Sequence, residues 1–190
     1  MMKKSLGYLC LLFSGILPLA AQSDSGGDAR RNSGRSAWFA CTSIPDGLEN
    51  PVKIMSGEKL TELKLPKYMA SEPVKIPDGG VIRIVREVPD PEDAEKVKYL
   101  VLAEAKIPES VREALIVLIP LPKPKGDLIF LTKVQDLADF KGGDRFFINL
   151  SNTHIRVKLG NTDVTVAPKQ ANIYKAPVLA KPTNMPIMYG

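Results

Sequence analysis

The chain has one histidine, His154, and two cysteines, Cys10 and Cys41, which limits the chemistry its side chains can perform. A multi-histidine metal site or a two-histidine mechanism is impossible with a single imidazole. A thiol nucleophile would pair Cys41 with His154. No glycine-rich turn or helix start surrounds Cys41 to lower its pKa, and its neighbours Trp38, Phe39 and Ala40 point to a buried thiol. The acidic string Glu87, Asp90, Glu92, Asp93 and Glu95 offers oxygen ligands. Pro89 and Pro91 interrupt it, however, and it lacks both the alternate spacing and the sixth-position glycine of an EF-hand loop, so it reads as a solvated loop between strands. No phosphate-binding glycine loop or nucleophile elbow occurs, and no pair of carboxylates is singled out. The expectation is a non-catalytic protein with no metal and no cofactor.

What remains is charge. From Lys141 onward seven basic residues stand against Asp144 and Asp163, whereas Glu87 to Glu113 is predominantly acidic. His154-Ile155-Arg156-Val157-Lys158-Leu159 alternates, so a strand there would carry His154, Arg156 and Lys158 on one face and the aliphatic residues on the other. With Arg145 and Lys169 on neighbouring segments, these five residues are the candidate binding site, suited to an acidic polymer such as an anionic glycan or a phosphate-bearing envelope component. The competing reading is a solvated sheet face, the ordinary state of exposed charge. An envelope protein is the other partner considered. Nucleic acid is not expected, because the basic footprint is sparse. Asn149-Leu150-Ser151 fits the glycosylation pattern, but it sits at a strand end and is read as unused.

These residues must be positioned by a short exported domain. Lys3 and Lys4, the apolar stretch Leu6 to Leu17 and the small residues Ala20-Ala21 form a secretory signal peptide over residues 1–21, too short to span a bilayer. The protein is therefore expected in the periplasm or outside the cell, with no transmembrane segment after cleavage. Loss of Lys3 and Lys4 lowers the net charge from +5 to +3. Cys41 is then the remaining thiol, so no internal disulfide forms. Residues 22–37 are polar and read as a disordered linker. Residues 38–175 form the domain, and residues 176–190 an extended Pro-rich tail that either frays or adds a strand to a sheet.

Within 38–175 the apolar residues come in alternating or strand-length runs: Val52-Lys53-Ile54, Val81 to Val85, Tyr99 to Leu102, Ala114 to Ile119, Leu128 to Leu131, Arg145 to Leu150, Ile155 to Leu159, Val164 to Val166 and Asn172 to Tyr174. Short loops rich in Pro, Gly and Asn join them, which predicts an all-β, antiparallel two-sheet sandwich of immunoglobulin-like or related Greek-key type. One helical turn each is expected near 109–113 and 135–140. Ile116 and Val157 are expected to share one core. Val52 to Lys67 also echoes Val157 to Lys169 in pattern, as strand-turn-strand segments commonly do.

Over roughly residues 98–174 the order LIVLIPLPKPKGDLIFL, DLADFKGGD and FFINLSNTHIRVKLGNTDVTVAPKQANIY resembles a group of uncharacterised exported bacterial β-sandwich proteins. The resemblance implies a β-sandwich fold and carries no catalytic residue to transfer.

Overall fold

Apolar residues at alternate positions, punctuated by Pro and Gly, suit a pleated backbone better than a coiled one, and the chain folds as an all-β protein. The computed structural model describes residues 13–14, 34–67, 69–93, 95–177 and 186–189. Its strands are β1 (Phe13–Ser14), β2 (Ser36–Cys41), β3 (Val52–Ser56), β4 (Lys59–Leu63), β5 (Val74–Lys75), β6 (Val81–Pro89), β7 (Val97–Lys106), β8 (Glu113–Lys125), β9 (Leu128–Asp136), β10 (Arg145–Ile148), β11 (Ile155–Leu159), β12 (Thr162–Val166), β13 (Ala171–Tyr174) and β14 (Ile187–Tyr189). Leu137–Asp139 makes a 3-10 turn, inside the stretch where one was expected. Near 109–113 there is only a bend closed by Val111 N–H on Pro108 O.

The chain divides into two compact units, Ser23–Asp139 and Phe140–Gly190 with Met1–Gln22. In the first, a sheet ordered β5-β2-β8-β9 and one ordered β4-β3-β6-β7 enclose a core of Phe39, Ile54, Leu65, Ile82, Ile84, Ile116 and Leu118, among others. Ala114 through Leu118 are all buried, with residues of both parities out of water. A strand of this kind needs partners on both edges. β9 supplies one by antiparallel pairing, and β2 supplies the other in parallel, with Phe39 opposite Ile116. This parallel pair departs from the purely antiparallel expectation. Parallel neighbours need a long crossover, and the chain between β2 and β8 provides it by building the opposite sheet first.

β2 begins at Ser36, inside the segment expected as linker. Arg35 explains the early start: its Nε donates to Val111 O at 2.8 Å and its guanidinium also reaches Pro108 O, so it satisfies carbonyls of the bend that feeds β8. On the other sheet, Ile84 pairs with Ala103 and Val85 with Val101, so Leu102 is an extra residue in β7. This bulge turns Leu102 inward, to 4% exposure.

The second unit has two three-stranded sheets, β1-β10-β13 and β12-β11-β14, around Phe147, Val157, Leu159, Val164 and Val166. The two segments that echo one another in sequence are both hairpins with two-residue loops. Gly57 and Gly160 hold the first loop position at φ 63° and 56°, the position a II′ turn reserves for glycine. The expectation of one core shared by Ile116 and Val157 is corrected here. The two residues belong to separate clusters, because each unit closes its own pair of sheets.

The C-terminal segment adds an edge strand, with Val157 opposite Tyr189, Lys158 opposite Met188 and Leu159 opposite Ile187. β1 pairs with β10, Phe13 opposite Phe146. The rest of the expected signal peptide, linker residues 22–33 and tail residues 178–185 lie outside the described residues.

Ile116→Ala and Val157→Ala should each lower stability by about 2–4 kcal/mol, since both side chains are fully buried. Because they sit in different clusters, the loss in the double variant should equal the two single losses combined, as read from urea denaturation. A coupling above about 0.5 kcal/mol would show a common core after all.

Candidate functional site

Alternation along β11 sorts its side chains as the pattern implies. Val157 and Leu159 are buried, Arg156 and Lys158 are exposed, and His154 is exposed just before the strand. The register sets Thr165 opposite Arg156. It places Lys158 between Asp163 on β12 and Met188 on β14. A carboxylate directly across the pair dilutes the positive field of this face.

Arg145 does not join it. β10 and β11 belong to different sheets, so the meander expected to gather the basic residues is absent. Arg145 turns its guanidinium back on the preceding turn, donating to Gly143 O at 2.8 Å and Asp144 O at 3.2 Å. Lys169 occupies the turn between β12 and β13 with a left-handed φ of 59°, and its ammonium donates to Leu150 O. Of the five candidate residues, Arg156 and Lys158 thus share one exposed strand face with His154 just before it, Lys169 is engaged at Leu150 O, and Arg145 stands on another sheet.

The polar residues the fold does gather are structural. Asn149 is fully buried where the chain leaves β10. Its Nδ2 donates to Thr153 O at 2.7 Å and Val166 O at 2.9 Å, and its Oδ1 accepts from both Ser151 N and Ser151 Oγ at 2.8 Å. Every donor and lone-pair direction of that amide is in use, which leaves no nitrogen free for a glycan. Asp144, at 5% exposure, accepts from Lys141 N at 3.0 Å, Ala176 N at 2.8 Å and the Lys175 ammonium at 3.2 Å. Burial alone would raise its pKa. The N–H groups of Ala176 and Lys141 and the Lys175 charge outweigh it and hold the carboxyl below its ordinary value. Sequence reasoning missed both residues as anchors. Their signal was positional: each polar side chain stands at one end of a strand-length apolar run.

Cys41 is buried, and its Sγ–H donates to Ser43 O at 2.8 Å. Burial pushes its pKa up to about 11, partly offset by that hydrogen bond, so the thiol stays protonated and unreactive at neutral pH. The acidic string is dispersed into local contacts. Glu87 pairs with Lys53 and raises the lysine's pKa, chiefly through their hydrogen bond. Asp90 and Asp93 accept from the backbone N–H of Glu92 and Glu95 in turns, and Asp93 pairs with Lys96 at 2.9 Å. Among the described residues no cluster of three or more His, Cys, Asp or Glu forms a cation site.

In the first unit a groove of about 140 Å³ opens at the β6–β7 bulge, floored by Val52, Val85 and Leu102 and rimmed by Lys53 and Glu87. Ligand sites generally enclose roughly 300–1,000 Å³, so this one accommodates little more than a side chain. No protein-family model matches this chain, nor does any curated protein or solved structure.

Asp144 generates a pH prediction. Its folded pKa is depressed, so the stability it contributes is present above the ordinary Asp pKa of about 3.9 and is lost as pH falls through the folded value. Asp144→Asn should therefore be less stable than the parent at pH 7, and its urea midpoint should decline less steeply below about pH 5. Glu104, also held low by its Arg83 hydrogen bond, keeps some slope in the variant. An unchanged slope would refute the role given to Asp144.

Proposed function

We propose that the chain is exported, is cut after Ala21, and works as a non-catalytic β-sandwich protein with a binding or structural role in the envelope or outside the cell. The observation that carries this reading is that the groups best able to do chemistry are spent on the backbone. The Cys41 thiol, the Asn149 amide and the Asp144 carboxylate each hold main-chain atoms in buried positions. The export half rests on the Lys3-Lys4 start, the apolar stretch and Ala20-Ala21. No helix among the described residues is long and apolar enough to cross a membrane. Cleavage there also removes Phe13–Ser14, which leaves β10 paired with β13 alone. N-terminal sequencing of the exported protein should begin at Gln22, and an intact Met1 in that fraction would overturn the export half.

A second reading is favoured by the exposure of Arg156 and Lys158 on one strand face. It makes that face a weak binder of acidic polymers, held by contacts that salt screens. On this reading the parent is retained on heparin and Arg156→Glu/Lys158→Glu elutes at lower salt with its denaturation midpoint intact. Identical elution of the two proteins would reduce the face to a solvated surface.

A further inference from the structure

We propose that the C-terminal strand β14 is exchanged between two copies of this chain, each copy laying residues 186–189 along β11 of the other. The proposal rests on the structural role given to the protein above and names its partner as a second copy.

The acceptor is the edge of β11 opposite β12, which β14 covers in the structure. β12 covers one side of that strand, and the other side presents unpaired N–H and C=O groups wherever β14 is not in place. The segment that fits this edge is visible in the structure. It pairs antiparallel over three residues, Ile187 packs against the cluster around Phe147 and Val157, and Pro186 O accepts from Gly160 N at 2.9 Å. These contacts are the same whichever copy supplies the strand, so exchange costs only the entropy of association.

The hold on β14 is thin. β12 is fastened to the same strand by five register pairs, with Val164 and Val166 buried, whereas β14 has three pairs, a half-buried Ile187 and a Met188 that is 58% exposed. A strand with so little buried area opens at low free energy. The covalent tether also has reach. Residues 178–185 join Pro177 to Pro186, a contour of about 30 Å at roughly 3.3–3.6 Å per residue.

The test uses the register pair Lys158–Met188, whose directly opposed Cα atoms fall at a spacing that a disulfide spans. One chain carries Lys158→Cys. A second, tagged to differ in mass, carries Met188→Cys. Both chains also carry Cys10→Ser, so a bond between the two chains at these positions forms only if β14 of one lies on β11 of the other, and the buried Cys41 does not compete. The expected result under mild oxidation is a mixed covalent dimer on a non-reducing gel, its yield rising with protein concentration and several-fold above that of either variant alone. The proposal is overturned if the mixture gives no more dimer than those controls while a single chain with both substitutions closes its disulfide internally. It falls equally if that doubly substituted chain forms no bond within or between copies, because the register would then be wrong. An exported protein that retains Met1 would sink the export reading and leave this result untouched.

Discussion

The run Ala114 to Leu118 can leave water only if both of its faces and both of its hydrogen-bonding edges are covered, and much of the larger unit follows from that constraint. β9 covers one edge by the shortest route, a hairpin. The other edge is taken by β2, from far earlier in the chain, in parallel orientation. For β2 to lie there, the intervening residues must form the opposing sheet, which then supplies the second half of the core. The order of strands is thus a consequence of how many sides of β8 have to be sealed.

Sealing a strand leaves its ends with unpaired backbone groups, and polar side chains take over there. Asn50 behaves as a surrogate strand residue, donating to Leu65 O and accepting from Leu65 N, both at 2.9 Å. Ser71 exchanges hydrogen bonds with Phe39 through its backbone N–H and its hydroxyl oxygen. Arg35 caps the bend before β8, Asn149 organises the exit from β10, and Asp144 gathers the N–H groups of Lys141 and Ala176. A buried amide or carboxylate of this kind is costly to leave unmatched, and each of these is matched. That is why residues with catalytic potential serve here as joints.

The smaller unit meets the same problem with less apolar surface. Among the described residues its sheets are three strands wide, and an outer strand of each is short: β1, which the proposed cleavage would remove, on β10, and β14 on β11. Edges closed by strands of two and three register pairs are held by few hydrogen bonds. The outward side of the β11–β12 pair carries charges of both signs, Arg156 and Lys158 on β11 with Asp163 on β12 across from Lys158.

The amino-acid sequence by itself determined the strand class, most strand positions and the in-out sorting of β11. Alternation and Gly/Pro punctuation are local properties, as the II′ loops at Gly57 and Gly160 illustrate. It also marked Cys41 as buried, through the apolar residues beside it. Tertiary structure alone decided which strands became neighbours. The parallel pairing of β2 with β8, the division of Ile116 and Val157 between two clusters, and the separation of Arg145 from Arg156 and Lys158 all depend on which sheet each strand entered. Period-two patterning tells a side chain which face it occupies but not the partner across the ladder, because backbone hydrogen bonds are the same for every residue pair. That choice is made by the packing of whole faces, so a cationic cluster legible as neighbours in sequence lost Arg145 once β10 and β11 went to different sheets.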